Sequence, residues 1–150
     1  MKAVVQRVSS ASVSVKGLTI AKIQAGMLIL LGVHSDDQVS DLEWLAGKVS
    51  RLRIFSDQHS LMNSTVQDVG GDIIVVSQFT LYASTKKGNR PSYISAAKPE
   101  LAIPMYEEFI EKLKVESGVK VFKGEFGADM QVSLINDGPV TIVIDSKNKE

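Results

Sequence analysis

The first third of the chain is organised by a two-residue alternation of apolar and polar side chains. Positions 3–8 alternate, the pattern returns at Val13 and Val15, and it continues over 18–23 after Lys16-Gly17. A period of two predicts strands, and the Lys-Gly pair predicts the turn between them. Residues 27–31 have no polar position, which predicts a strand buried on both faces.

Two later segments show the three- and four-residue spacing of amphipathic helices. The first stripe consists of Leu42, Leu45, Ala46, Val49 and Leu52. Ser35, Asp36 and Asp37 precede it as candidate caps. The second stripe consists of Tyr106, Phe109, Ile110 and Leu113, and it ends at Gly118. Pro99 and Pro104 each suit a first helical turn, so a helix that includes both is expected to kink at Pro104.

The remaining apolar segments predict further strands. The strongest covers residues 72–82, and others are expected at 119–122, 130–135 and 140–144, with a short one at 53–55 before a loop or hairpin tip at 56–64. Strands at both ends of the chain with two main helices between them predict an α+β fold with a curved, mostly antiparallel, barrel-like sheet. The edges of so small a sheet need cover, which a dimer would supply.

Length and composition limit the class of protein. The 150 residues, 44% of them hydrophobic and 23% charged, predict one globular domain over residues 1–150. The longest apolar run, residues 27–33, is too short to span a bilayer, and charges interrupt the segment where a signal peptide would be apolar. We therefore expect a cytoplasmic protein with no membrane partner. The absence of cysteine excludes thiolate chemistry and fits a reducing compartment.

Several catalytic classes lack the residues that they need. Only His34 and His59 could be imidazole bases, and both positions suit surface or packing histidines. No metal-ligand spacing is present, so we expect no metal site. The Gly70-Gly71 pair precedes a strand rather than a helix, so a nucleotide cofactor is not indicated either, and no cofactor is expected.

Polar side chains and a basic segment follow the strongest predicted strand. Ser77, Gln78 and Thr80 lie at its end, and no acidic residue occurs between Asp72 and Glu100 although four basic ones do. These are Lys86, Lys87, Arg90 and Lys98. The net charge of the whole chain is zero, so no global field attracts nucleic acid. On composition alone an outer strand face and a solvated loop explain these residues, and phosphate contact is the alternative.

A second polar segment, residues 136–141, reads Asn-Asp-Gly-Pro-Val-Thr. Asn, Asp, Gly and Pro are turn formers, so the segment predicts a turn between two strands. Pro139 has no backbone donor and can follow a cis bond, so the turn can present rigid carbonyls outward.

These segments together resemble the D-aminoacyl-tRNA deacylases. The resemblance covers the whole chain and is carried by five stretches in order: residues 1–8, Ser77-Gln78-Phe79-Thr80-Leu81, residues 90–93, Phe126-Gly127-Ala128-Asp129-Met130, and residues 136–141. Tyr93 stands where many relatives have phenylalanine, which keeps the aromatic side chain.

The resemblance implies a function and a site. The family hydrolyses the ester that joins a D-amino acid, or glycine, to the terminal ribose of tRNA, as a proofreading step that spares L-aminoacyl-tRNA. Glycine mischarged on the alanine tRNA is an expected further substrate. The implied catalytic residues are Ser77, Gln78, Phe79 and Thr80. Chiral selection is implied for Gly138, Pro139, Arg7 and Met130, with the Gly138-Pro139 turn supplied across a homodimer and held by Arg7.

A mechanism without a side-chain base fits these residues. An aminoacyl ester is already activated, so orientation of water and stabilisation of an oxyanion can suffice. We expect the donors to be backbone N–H groups near Phe79 and Thr80 with the Gln78 amide, and Thr80 to position rather than attack. Lys86, Lys87 and Arg90 are the candidate contacts to the tRNA acceptor end. A non-catalytic dimeric RNA-binding module and a general esterase are the alternatives, the second weakened by the absence of a Gly-x-Ser-x-Gly motif.

Overall fold

The computed structural model describes residues 1–149. Its strands are β1 (Lys2–Val15), β2 (Leu18–Ile23), β3 (Gly26–Gly32), β4 (Phe55–Ser56), β5 (Met62–Ser64), β6 (Asp72–Ser77), β7 (Val121–Lys123) and β8 (Met130–Asp145). Its helices are α1 (Val39–Ser50), α2 (Pro99–Ser117) and a short 3₁₀ helix (Phe79–Tyr82).

The long strand β1 organises a sheet that curves into a barrel. Along one edge β1 pairs with β8, and along the other it pairs first with β3 and then with β2, always antiparallel. The pairs β3·β6 and β6·β7 are parallel, because α1 and α2 are the crossover connections between them. The predicted α+β class with two helices and a barrel-like sheet is confirmed, and the sheet is mixed.

Two apolar cores lie on the two faces of this sheet. One fills the space between the sheet and the helices, where Tyr106 and Phe109 of α2 are almost completely buried. The other fills the inside of the barrel, from Val13 on β1 to Ile74 on β6. Since β3 and β6 contribute to both cores, their residues are buried on both faces, as the run at 27–31 predicts.

The cap of α1 differs from the prediction. The N-cap is Gln38, whose N–H donates to the Asp41 carboxylate at 2.9 Å, and none of Ser35, Asp36 or Asp37 has that role. Asp37 is already engaged: one oxygen accepts from the Met1 ammonium at 2.6 Å and the other from the His34 N–H at 2.7 Å. Because its carboxylate binds Met1 and His34, Asp37 does not cap the helix.

The helix α2 contains both prolines without interruption, with Pro99 at its start and Pro104 inside. The N–H that Pro104 lacks would have bonded the carbonyl of Glu100, which lies on an exposed turn and can be hydrated. The helix ends at Gly118, whose φ of 66° is left-handed, as predicted.

Two predicted strand boundaries are wrong. The strand expected over 72–82 ends at Ser77, where the chain enters the 3₁₀ helix. The strands expected at 130–135 and 140–144 are one strand, β8, because both halves pair with β1 in the same direction. Residues 137–140 leave this ladder as a bulge opposite Arg7, so the expected turn does not reverse the chain.

Within residues 1–149, the longest helix is too polar to cross a lipid bilayer.

Candidate active site

The site begins where β6 ends. Ser77 is the last residue of the strand, and the Gln78 N–H donates to the Leu31 carbonyl of β3 at 2.8 Å. After that bond the backbone turns into the 3₁₀ helix, which presents Phe79 and Thr80. The four residues of the predicted motif therefore lie at a strand end that the neighbouring strand holds in place.

The polar groups of this corner are partly paired and partly free. The side-chain amide of Gln78 donates a hydrogen bond to the Thr80 hydroxyl oxygen. The backbone N–H groups of Phe79 and Thr80 have no hydrogen-bond partner within residues 1–149, as expected for the first turn of a helix. Two backbone donors thus remain available to a bound oxygen atom.

A cavity of about 280 Å³ opens beside this corner. Its lining includes the end of β6 with Ser77, Gln78 and Phe79, and the segment from Phe126 to Met130. Ala97, Ala102 and Tyr106 close the back, and Val132 and Leu31 contribute apolar surface. The volume suits a small molecule or the end of a large one.

The back wall is apolar and fixed. The Tyr106 hydroxyl donates to the Val75 carbonyl at 2.8 Å, and its ring packs against Phe126 at 5.9 Å between centroids. Burial, together with the carboxylate of Glu107, raises the pKa of Tyr106 far above its ordinary value. Tyr106 is therefore neutral, and its hydroxyl proton is bound to the Val75 carbonyl. The residue forms part of the cavity wall and does not donate a proton to a bound ligand.

Candidate bases are scarce around the cavity. His34 packs edge-on against Tyr82 at 5.1 Å, and His59 lies exposed in the β4–β5 hairpin, so neither lines the cavity. Both are surface or packing histidines, as predicted. Asp129 is the one carboxylate among the lining residues of the described chain, and no hydrogen bond joins it to Thr80.

The basic segment forms an exposed loop next to the site. Paired backbone bonds between Ser84 and Ser92, of 2.8 and 2.9 Å, close its base. Its tip carries Lys86, Lys87 and Arg90, all exposed. Tyr93 follows the loop and packs edge-on against Phe79 at 5.0 Å between ring centroids, which connects the loop to the corner at the end of β6.

The Gly138-Pro139 segment forms a protruding turn with a cis peptide bond. Arg7 holds its base: Nε donates to the Asp137 carbonyl at 3.1 Å, and Nη1 donates to the Ile54 carbonyl at 2.7 Å. The Asn136 side chain donates to the carbonyls of Arg7 and Val140, at 3.0 and 2.9 Å. Gly138 and Pro139 themselves remain exposed.

The turn and the cavity of one chain lie apart. Arg7 is paired with Met27 and Ser77 with Leu31, so the two sites differ by four residues along β3, which is roughly 13 Å. Gly138 and Pro139 are not among the residues that line the cavity in the described chain. The structure brings Ser77, Gln78, Phe79 and Met130 together, and it leaves the turn with Arg7 elsewhere.

Comparison with known proteins decides the family. A sequence model described as D-Tyr-tRNA(Tyr) deacylase matches residues 4–145. The chain belongs to this deacylase family. Proteins named D-aminoacyl-tRNA deacylase from Flavobacterium johnsoniae and Parabacteroides distasonis are 61% and 55% identical to it, each over the full length of both chains.

Solved structures agree with this deacylase fold. The structure of a protein named c-Myc DNA Unwinding Element Binding Protein superposes with a TM-score of 0.90 at 41% identity, covering 97% of this chain and 98% of that one. The structure of a probable eukaryotic D-amino acid tRNA deacylase superposes at 0.82 with 16% identity, covering 95% and 97%. The second likeness shows the fold alone.

Sequence reasoning missed the part of the cavity wall that α2 supplies. Tyr106 belongs to the stripe that predicts core packing, and Ala102 is buried one turn before it; both also line the cavity. A core stripe and a cavity wall have the same apolar spacing, so only the fold separates them. The tyrosine hydroxyl in an otherwise apolar stripe was the one available signal.

Proposed function

We propose that the protein hydrolyses the ester of D-aminoacyl-tRNA, releasing the D-amino acid and free tRNA. Membership of the deacylase family supports the reaction. The observation that carries the mechanism is a pair of free N–H groups, of Phe79, which lines the cavity, and of the next residue Thr80, beside a cavity that no histidine lines. Such a site can stabilise charge that develops on a carbonyl oxygen.

The reaction needs only a positioned ester and water. Water adds to the ester carbonyl carbon, and the carbonyl oxygen becomes an oxyanion that accepts from the N–H groups of Phe79 and Thr80. The carbon–oxygen bond to the ribose then breaks, and the ribose oxygen leaves with a proton that the neighbouring 2′-hydroxyl relays from the water. The second N–H of the Gln78 amide is available as a further donor, since the first binds Thr80.

We propose that the working unit is a homodimer in which the turn of one subunit enters the cavity of the other. The distance between turn and cavity within one chain supports this arrangement. So does the surface around the turn, since Ile135 and Val143 of β8 are 62% and 69% exposed. Among residues 1–149, β8 pairs only with β1, which leaves its outer edge open to a second copy.

The turn would select the chirality of the amino acid. D and L esters carry the same groups and differ only in where the side chain points from the α-carbon. Selection therefore requires a steric block to the L side chain as well as a binding group for the D substrate. A backbone carbonyl of Gly138-Pro139 would accept from the α-ammonium and occupy the space that an L side chain needs. Glycine has no side chain, so glycine mischarged on the alanine tRNA would also be hydrolysed.

The acceptor end of tRNA would approach over the basic loop. Lys86, Lys87 and Arg90 are exposed, and Tyr93 connects the loop to Phe79. Few phosphate contacts predict modest affinity with a clear salt dependence. The substrate places the activity in the cytoplasm, where tRNA is charged.

The decisive assay follows deacylation of D-tyrosyl-tRNA and L-tyrosyl-tRNA by the purified protein. Rapid hydrolysis of the D ester with the L ester spared is expected. A non-catalytic nucleic-acid-binding module is the alternative, because the protein of known structure at 41% identity is named a DNA Unwinding Element Binding Protein. Binding of both charged tRNAs without hydrolysis of either would establish that alternative.

Subunit mixing tests the shared site. One variant blocks the cavity (Met130→Trp), and another lacks the anchor and tip of the turn (Arg7→Ala with Pro139→Gly) and should cleave D-tyrosyl-tRNA slowly and with little preference over the L ester. Refolded together, they form mixed dimers with one intact site, so roughly a quarter of wild-type activity should return. If each site were built from a single chain, the mixture would be no more active than its components.

A further inference from the structure

A glycine behind Met130 gives the cavity its present shape. Gly124 follows β7 and is buried, and a Cβ at that position would lie 2.6 Å from the Met130 sulfur. Carbon and sulfur cannot approach so closely, so the Met130 side chain occupies its position only because residue 124 has no side chain.

The backbone of Gly124 cannot retreat from this contact. Its N–H donates to the Val75 carbonyl at 3.0 Å, and the Tyr106 hydroxyl donates to the same oxygen at 2.8 Å. Val75 belongs to β6, which is paired with a strand on each side. Any adjustment must therefore come from the flexible thioether of Met130.

The direction of that adjustment is set by the packing. Met130 packs against the apolar cluster inside the barrel, and it also lines the cavity. The interior of the barrel is close-packed, whereas the cavity is open space. A side chain at position 124 would push the thioether into the cavity that Gln78 and Phe79 also line.

We infer that Gly124 is a positioning residue for the hydrolytic site: by leaving room for the Met130 sulfur, it sets the width of the cavity that receives the aminoacyl end. This inference rests on the proposed assignment of the cavity as the substrate site. Gly124 does not line the cavity and acts only through Met130. The proposed ester-binding corner at Phe79 and Thr80 is not among the groups that a Cβ at position 124 would meet.

Steady-state deacylation of D-tyrosyl-tRNA by Gly124→Ala, Met130→Ala and the double variant tests the inference. We expect Gly124→Ala to raise KM roughly 10-fold, the effect of one misplaced methylene-sized group in a pocket. Its kcat should stay within about twofold of wild type, because the reacting groups are unchanged. The double variant should have the KM of Met130→Ala alone, since no sulfur remains to displace.

Three results would overturn the inference. Gly124→Ala with wild-type KM, while Met130→Ala alters KM, would show that the cavity binds substrate but residue 124 does not shape it. A KM for the double variant above that of Met130→Ala would show that residue 124 acts independently of Met130. An unchanged KM in Met130→Ala would contradict the assignment of the cavity as the substrate site.

The Met130 methyl resonance gives a readout that does not require activity. With ¹³C-methyl methionine, Gly124→Ala should shift the Met130 signal while the signals of Met1 and Met27, which do not line the cavity, stay in place. An unshifted Met130 signal in a folded variant would contradict the displacement. Thermal melting shows whether Gly124→Ala folds. If it does not, the double variant, which has no clash, is compared with Met130→Ala in KM.

Discussion

The side-chain amide of Gln78 donates a hydrogen bond to the Thr80 hydroxyl oxygen across the corner where β6 becomes a 3₁₀ helix. This bond fixes the orientation of the hydroxyl but removes no proton from it, and no carboxylate or imidazole within residues 1–149 is hydrogen-bonded to it. A hydroxyl needs an adjacent base to become a nucleophile. The pair is arranged to position Thr80 rather than to activate it.

Replacement of Thr80 by valine should therefore leave most of the activity. We expect kcat/KM for D-tyrosyl-tRNA within about 10-fold of wild type, whereas loss of a true nucleophile costs on the order of 10⁴-fold or more. Single-turnover deacylation of the ester measures the difference. Asp129→Asn is the companion variant, because Asp129 is the one carboxylate that lines the cavity within residues 1–149. This variant should also keep most of the rate. A trapped acyl-threonine intermediate would contradict the assignment.

Removal of the Arg7 side chain should loosen the Gly138-Pro139 turn and weaken the discrimination against L esters. Arg7 binds the carbonyls of Asp137 and Ile54, so Arg7→Ala frees the base of the turn. Hydrolysis of L-tyrosyl-tRNA should rise roughly 10-fold or more, while the D ester is cleaved more slowly. Arg53→Ala is a matched control, since Arg53 donates to the Asn63 side chain of the β4–β5 hairpin and no side-chain hydrogen bond joins it to the turn within residues 1–149. Unchanged D-over-L selectivity in Arg7→Ala would refute the role of the turn.

Charge removal at the basic loop should weaken tRNA binding without affecting the chemistry. For Lys86→Ala with Lys87→Ala we expect a higher KM, an unchanged kcat, and a slope of log KM against log salt that falls by about one for each lost phosphate contact. Lys120→Ala, an exposed lysine before β7, is the control. A double variant with the wild-type salt slope would place the tRNA on another surface.

The sequence predicts the fold well where periodicity is local. The alternation of β1, the buried run of β3 and the stripes of both helices are all found in the structure. Prediction failed where a long-range contact overrides local preference. The Met1 ammonium binds the Asp37 carboxylate, so Asp37 does not cap α1. Residues 130–135 and 140–144 both pair with β1, so they form one strand, β8.

The site was predictable only through its motifs. Composition indicates a polar strand end and a turn at Gly138. The strand ends at Ser77, five residues earlier than predicted, and the Gly138 segment is a bulge within β8 that does not reverse the chain. That the two lie apart in one chain follows from the pairing of β1, β3 and β6, which no short motif encodes. The cavity wall from α2 was hidden for the same reason, since an apolar stripe does not show whether it faces a core or a ligand.

A buried carboxylate at the start of α1 makes part of the stability depend on pH. Asp41 accepts from the Gln38 N–H at 2.9 Å and from Lys147 Nζ at 2.6 Å. Burial opposes its ionisation, but these donors outweigh burial and lower the pKa from 3.8 to about 2. Because the folded pKa lies below the unfolded one, the stabilisation is complete above pH 4 and is lost as the pH falls through about 2.

The variant Asp41→Asn should lose this contribution. Near pH 7 its free energy of unfolding should be about 2 kcal/mol below that of wild type, the equivalent of the pKa difference. At pH 3 roughly half of the gap should remain, and near pH 2 little of it. Urea unfolding at the three pH values measures the gap, with the exposed neighbour Glu43→Gln as control. A gap that stays constant from pH 7 to pH 2 would show that Asp41 stabilises α1 by shape or hydrogen bonding alone and not through its charge.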